Sequence, residues 1–265
     1  MRILVTNDDG IGAPGIVMLE RAAQRLGAEV YVVAPERQNS AQSHAITIHQ
    51  PVFARELPHT HGEARRIAVE GTPCDCVRLA LIKLLPEKPD LCVSGINHGG
   101  NLGWNIFFSG TVSAAAEAHS FGVPSVAFSL ASWAPDVKWE GTDLLCAALL
   151  RRLLAAKHSR PDWLYSVNLP AIDPREVKGV RVTRQNPAVK GDNFVERESP
   201  DGRRYFWPVW DEMKAAHARH DNPDYDTVAI REGFVSLTPM RYEVSDMNEP
   251  GVKEAMESFQ PGKVM

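Results

Sequence analysis

Four short apolar runs recur in the first 130 residues: Ile3-Leu4-Val5, Val30 to Ala34, Leu91 to Val93 and Ser125 to Phe128. They are continuous rather than alternating. A strand that is apolar on both faces must be covered on both, which is the condition of a parallel sheet between two helix layers. Helical spacing fills the gaps. Ile16, Leu19, Ala23 and Leu26 recur within Gly15 to Leu26, Cys76 to Leu85 is stopped by Pro86, and Thr111 to His119 is Ala-rich. A helix over Asp143 to Ala156 and a strand over Trp163 to Leu169 extend the pattern. The prediction is an α/β fold with an open, mostly parallel sheet, flanked by helices and joined by right-handed crossovers.

After about residue 180 the alternation fades, and aromatic and charged residues interleave with Pro and Gly (DGRRYFWPVW, DNPDYD). This composition predicts an extended arm of hairpins and loops with one helix near Met213 to Arg219. The expected division is an α/β catalytic core over 1–180 and a C-terminal extension over 181–265. A chain of 265 residues suits that plan.

Composition removes several function classes. No apolar run reaches the roughly 18 residues of a membrane helix, so no membrane partner is expected. A net charge of −4, a pI near 6.1 and no basic tract speak against a general nucleic-acid binder. The N-terminus MRILVTNDDG lacks the longer apolar region and cleavage site of a signal peptide. Cys74 and Cys76 form C-x-C, not C-x-x-C, while Cys92 and Cys146 sit in apolar runs as small buried hydrophobes. A reducing, cytoplasmic setting is expected.

In an open parallel sheet, ligands bind beyond the carboxyl ends of the strands. The first run is followed by Asn7-Asp8-Asp9-Gly10. Adjacent carboxylates suit a hard divalent cation; alternatively, one of them caps the following helix. The second run leads to Arg37-Gln38-Asn39-Ser40 and on to His44, where Asn39 and Ser40 offer neutral oxygens and Arg37 suits phosphate. The third leads to the Gly- and Asn-rich stretch Ser94 to Gly103, a natural source of backbone N–H groups for an anion. Ser109-Gly110-Thr111-Val112-Ser113 then opens the Ala-rich helix, as a cap and as a phosphate seat. Thr72 reads as an ordinary helix cap. Acids, a hydroxyl, an amide and an anion seat thus converge at one sheet edge. The glycine spacing excludes a P-loop and a G-x-G-x-x-G dinucleotide site, and Asp8-Asp9 is not an Asp-x-Asp nucleophile motif.

The blocks VTNDDGIGAPGI, APERQNSAQSHAITI, VEGTPCDCV and SGINHGGNLGWNIFFSGTVSAA resemble the SurE family of stationary-phase survival proteins, which act as metal-dependent 5′(3′)-nucleotidases. The matching blocks run from Met1 to about Leu130, and YSVNLP (165–170) and EGFVSLTP (232–239) carry the likeness further. The resemblance implies a Rossmann-like core and a C-terminal arm exchanged between subunits of a homodimer or homotetramer. It implies one divalent ion per subunit, Mg²⁺ or Mn²⁺, on Asp8, Asp9, Ser40 and Asn97. It also implies phosphate contacts from Asn101, Ser109, Gly110 and Thr111.

The expected activity is hydrolysis of nucleoside 5′-monophosphates, with 3′-monophosphates, short polyphosphate or short oligonucleotides as further substrates. Asp8 and Asp9 are the expected catalytic residues, and His44 and His98 the candidates for a general acid, each with a structural role preferred. Electrostatic positioning can carry such a reaction without a covalent nucleophile. The alternative is a nucleotide- or phosphate-sensing regulator without turnover. Two carboxylates beside a phosphate favour the enzyme, because an anion sensor without metal would avoid them.

Overall fold

The first strand, β1 (Arg2–Thr6), pairs in parallel with β2 (Glu29–Pro35) on one side and β5 (Leu91–His98) on the other in the computed structural model. It therefore has no wet edge, and both of its faces are covered. Ile3 and Val5 join the cluster that holds Ile16 and Leu19 of α1 (Pro14–Gln24). Leu4 joins Val33 and the opposite cluster. The structure describes residues 1–58, 64–187, 193–209, 222–243 and 250–257.

The remaining strands are β3 (Phe53–Leu57), β4 (Arg65–Glu70), β6 (Ser125–Ala131), β7 (Leu164–Pro170), β8 (Val180–Val182), β9 (Asn193–Glu198), β10 (Arg204–Val209) and β11 (Val235–Pro239). Nine of the eleven form one sheet in the order β3-β4-β2-β1-β5-β6-β7-β11-β8, and β9 and β10 pair separately as a hairpin. The six strands from β4 to β7 are parallel, while β3 on β4 and β11 on β7 are antiparallel. The mostly parallel α/β sheet expected from the apolar runs is thus present. On one face α1 packs with α4 (Thr142–Ala155), and on the other lie α2 (Pro73–Leu79) and α3 (Gly110–Ser120). Ala114, Ala115, Ala116 and Ala118 of α3 are buried, and their small side chains let this helix lie close to the sheet.

Three features depart from the sequence reading. The helix expected over Cys76 to Leu85 starts at Pro73, capped by Thr72 through a reciprocal box with Asp75, and passes into a π turn over Ala80–Leu84. β3 and β4 were not foreseen, because charged residues interrupt them. The third concerns the chain from about residue 180 onward, where described residues return to the sheet: β11 runs along β7, and β8 along β11. They also form α5 (Asp226–Arg231) and α6 (Pro250–Glu257). The helix expected near Met213 to Arg219 lies outside the described residues.

Arg66 of β4 is buried against the fully buried Glu20 of α1, and its Nη2 donates to the Ile11 carbonyl at 2.6 Å. The pair fastens the turn after β1 from behind. Removing one partner strands the other charge in the core, which costs about 3–5 kcal/mol, whereas replacing both with apolar residues costs far less. Glu20→Ala should therefore shift the urea midpoint strongly, and Glu20→Leu combined with Arg66→Met should restore most of it. A loss below about 1 kcal/mol in Glu20→Ala would mean that the pair behaves like a solvated one.

Candidate active site

The strand order reverses at β1: β2 and β4 lie on one side, and β5, β6 and β7 on the other. The crevice at the carboxyl ends of β1 and β5 is therefore the topological switch point, where such sheets bind ligands. Asn7, Asp8, Asp9 and Gly10 leave β1 there. Gly10 has φ +98°, and a Cβ on it would meet the Arg37 backbone at 3.2 Å, so this tight turn requires glycine. Asn7 closes the turn by donating from Nδ2 to the Gly10 carbonyl at 2.8 Å.

Neither aspartate caps α1, whose N-cap is Ala13 with no side-chain bond. Asp8 instead faces the first turn of α3. Its Oδ2 accepts the Thr111 backbone N–H at 3.1 Å, and its Oδ1 accepts the Thr111 hydroxyl. Gly110 makes this approach possible, since a Cβ there would lie 2.9 Å from Asp8 Cβ and 3.0 Å from Oδ2. Asp9 accepts the His98 backbone N–H at 2.9 Å.

Asn97, at the end of β5, donates from Nδ2 to the Gly99 carbonyl at 2.7 Å, which turns its Oδ1 toward Thr111, 3.4 Å away. One hydroxyl thus lies between the Asn97 amide oxygen and the Asp8 carboxylate. Pairing of β5 with β6 shifts register between Ser94 and Asn97, a bulge of the kind that re-aims a side chain.

The electrostatics of this cluster are unfavourable by themselves. Burial pushes the Asp8 carboxyl up to about 6 and the charge of Asp9 adds to the rise, while the Thr111 hydrogen bonds oppose it. Burial also raises Asp9, opposed by the His98 N–H. Relative to an exposed aspartate, this rise makes ionising Asp8 about 3 kcal/mol less favourable. No Lys or Arg pairs with either carboxylate among the described residues.

The Asp8 carboxylate and the Asn97 amide oxygen converge on the Thr111 hydroxyl, and with the adjacent Asp9 carboxylate they make a hard-oxygen set that fits a divalent cation. No group of three or more His, Cys, Asp or Glu is placed to hold a metal among the described residues. Such a site would therefore be completed by neutral oxygens.

The other candidates lie around this centre. Ser40 is exposed and accepts from Gln38 at 2.9 Å; its neighbour Asn39 donates its backbone N–H to the Asp8 carbonyl at 2.7 Å. Ser109 caps α3 by accepting the Val112 N–H at 3.1 Å. Asn101 is held one strand further along: its N–H meets Asn168 Oδ1 at 2.9 Å and its Nδ2 meets Ser129 at 2.9 Å. Its side chain makes no hydrogen bond to Asp8, Asp9 or Asn97 among the described residues. His98 Nε2 donates to the Ala134 carbonyl, and His44 is bound at both ring nitrogens. Trp104 packs on Phe107 with ring centres 4.9 Å apart, and Trp133 lies over Gly99.

Sequence reasoning missed Asp226. Fully buried, it accepts from the Gly103 and Asn186 N–H groups at 2.8 and 3.1 Å, and so fastens the Gly-rich loop to the C-terminal part of the chain. Its only sequence signal was a polar residue ahead of the short apolar stretch Val228 to Ile230.

The family model described as Survival protein SurE matches residues 3–191, which include every candidate residue of this centre. The chain belongs to the SurE family. It is similar to the 5′-nucleotidase SurE of Synechococcus elongatus, with 41% identity over 251 residues, 94% of this chain and 96% of that one. The 5′-nucleotidase SurE of Carboxydothermus hydrogenoformans is 40% identical over 250 residues, covering 93% and 92%. The crystal structure of the SurE protein from Aquifex aeolicus superposes with a TM-score of 0.82 at 32% identity, covering 97% of this chain and all of that one.

The raised Asp8 pKa sets a pH dependence. It lies above the ordinary carboxylate value, so between about pH 4 and 6 the folded chain keeps a proton that the unfolded chain has released. The metal-free fold therefore loses stability as pH rises through that window. A cation competes with the same proton, so its affinity should rise with pH through about 6 and then level off. Calorimetry with Mn²⁺ in buffers of different ionisation enthalpy should count nearly one proton released at about pH 5 and almost none at about pH 7.5. Equal counts at both would show that Asp8 has an ordinary pKa.

Proposed function

We propose that this SurE chain is a metal-dependent phosphatase that hydrolyses nucleoside 5′-monophosphates to nucleoside and phosphate. The observation that carries the reading is the Asp8–Asp9 pair at the switch point, with Asp8 buried against the first turn of α3, Asp9 half-buried beside it, and no Lys or Arg paired with either among the described residues. The relatives named 5′-nucleotidase support turnover over the alternative of a silent nucleotide sensor.

Asp8, Asp9 and Asn97, with Ser40 from the neighbouring loop, are the residues that would hold the ion, Mg²⁺ or Mn²⁺. When bound, it would withdraw charge from a phosphoryl oxygen and acidify a water. Thr111 fixes the Asp8 carboxylate. The Ser109 hydroxyl and the start of α3, with Gly110, offer donors and a positive helix end to the remaining phosphate oxygens. Asn101 is assigned to the phosphate from its place beside this edge. Both ring nitrogens of His44 are hydrogen-bonded, so it cannot act as the general acid without breaking those bonds, whereas in His98 only Nε2 is so engaged. Hydrolysis of 3′-monophosphates and short polyphosphate belongs to the same proposal.

Phosphate release from a nucleotide panel should stop with EDTA and return with Mn²⁺ or Mg²⁺. Asp8→Asn should lower kcat at least about 10³-fold while leaving the metal-free melting temperature intact or higher, because it removes a buried charge. Near-normal turnover in Asp8→Asn would sink the assignment.

We also propose that residues 181–265 supply an arm for self-association into a homodimer or homotetramer. Among the described residues the β9–β10 hairpin pairs with no other strand, and it exposes Phe194 (60%), Phe206 (52%) and Trp207 (63%). Isolated two-stranded sheets are marginal in water, and exposed aromatic patches mark interfaces. Light scattering after size exclusion should show an oligomer for the wild type and a smaller species for Phe206→Ser with Trp207→Ser. A monomeric wild type would refute it. A cytoplasmic setting is supported by four free, buried cysteines, and no described helix is long and apolar enough to cross a membrane.

A further inference from the structure

The 36–50 loop carries Ser40 and is fastened at several points. Asn39 N–H meets the Asp8 carbonyl, Ser43 bonds the Phe107 and Phe108 carbonyls at 2.7 and 3.1 Å, and Thr47 donates to Asp75 at 2.6 Å. The one side chain of this loop that reaches into α3 beyond its first turn is His44. Its Nε2 lies 2.7 Å from Glu117 Oε2, and its Nδ1 meets the Tyr242 hydroxyl. Glu117 also accepts from Arg78 of α2 at 2.9 Å. Four separate pieces of chain therefore meet at one imidazole: the loop, α2, α3 and the segment after β11.

The chemistry of the partners fixes the roles. A carboxylate only accepts, so Nε2 carries the proton that faces Glu117. Nδ1 is then paired with the Tyr242 hydroxyl. With both nitrogens hydrogen-bonded, neither is free to face a leaving group. What it does have is a fixed position between α3, whose first turn holds Asp8, and the loop that carries Ser40.

We propose that Glu117, acting through His44, is a positioning residue that keeps the Ser40 loop closed on the metal site, and that Tyr242 makes this closure depend on the C-terminal segment. The proposal rests on the metal-site reading above, and it deepens that reading by giving the segment after β11 a part in metal affinity. His44 and Tyr242 are not metal ligands in this scheme.

The test uses the full chain with Glu117→Gln, Tyr242→Phe, His44→Ala and His44→Gln. Three quantities are read: the Mn²⁺ Kd by calorimetry, amide exchange across 39–47 in metal-free protein, and kcat and KM at saturating Mn²⁺. Glu117→Gln and His44→Ala should weaken Mn²⁺ binding about 10-fold, the scale of one lost charge-assisted hydrogen bond. Both should speed exchange at Asn39 and Ser43 while KM at saturating metal stays within about two-fold. Tyr242→Phe, which removes one hydroxyl and keeps the ring, should move Kd and exchange in the same direction. His44→Gln, which retains a donor and an acceptor, should recover part of the loss.

Unchanged Kd and exchange in Glu117→Gln and Tyr242→Phe would overturn the proposal. So would a collapse of kcat at saturating metal with Kd unchanged, which would place His44 on the reacting atoms, and so would a wild type that binds no Mn²⁺. A wild type that binds Mn²⁺ but releases no phosphate from nucleotides would overturn only the nucleotidase reading, and Kd and exchange would still decide the clamp.

Discussion

Two adjacent carboxylates at the dry end of a central strand repel each other, and much of the surrounding structure answers that repulsion. Thr111 gives Asp8 two hydrogen bonds, the His98 backbone gives Asp9 one, and the positive end of α3 points at Asp8. These contacts only partly offset the burial, since Asp8 stays near 6. Acids left partly uncompensated in this way suit completion by a cation, which is the proposal made above for this turn.

That electrostatic demand explains local choices that look unrelated. Gly110 and the alanines of α3 lack bulk, so the helix end can rest on Asp8 and its body can lie flat on the sheet. Two hydroxyls at the start of α3 divide the work. Ser109 caps the helix and Thr111 holds Asp8. Behind the acidic turn, Arg66 and Glu20 form the compensated pair that the front of the turn lacks, and Arg66 Nη2 fixes the Ile11 carbonyl. One ion pair is thus closed in the core, and a few residues away another charge is kept open at the crevice.

The central strands were legible in the sequence because β1, β2, β5 and β6 are buried on both faces and read as unbroken apolar runs. The acidic turn, Asn97 and the α3 cluster were legible because they follow those strands directly. β4 was hidden by Arg65 and Arg66: a buried arginine breaks the apolar run, and only the distant Glu20 makes it tolerable. β11 is hidden by its brevity, although the family-like block EGFVSLTP contains it. The two weaker blocks, YSVNLP and EGFVSLTP, prove to be antiparallel neighbours, with Leu237 opposite Val167. Asn168, in the first, receives the Asn101 N–H, so a block far from the acidic turn serves the same sheet edge.

Contacts of the kind made by Asp226 and Tyr242 cannot be read from local pattern, because their meaning lies in what they reach. Asp226 sits 123 residues from Gly103, and Tyr242 sits 198 from His44. Both come from the part of the chain after residue 180, which by composition looked like an appended arm. In the fold that part does two things at once: it adds β8 and β11 to the sheet, and it grips the Gly-rich loop and the Ser40 loop from the same side of the chain. Those two loops lie on either side of the carboxylates, so residues far along the chain help to shape both flanks of the acidic turn.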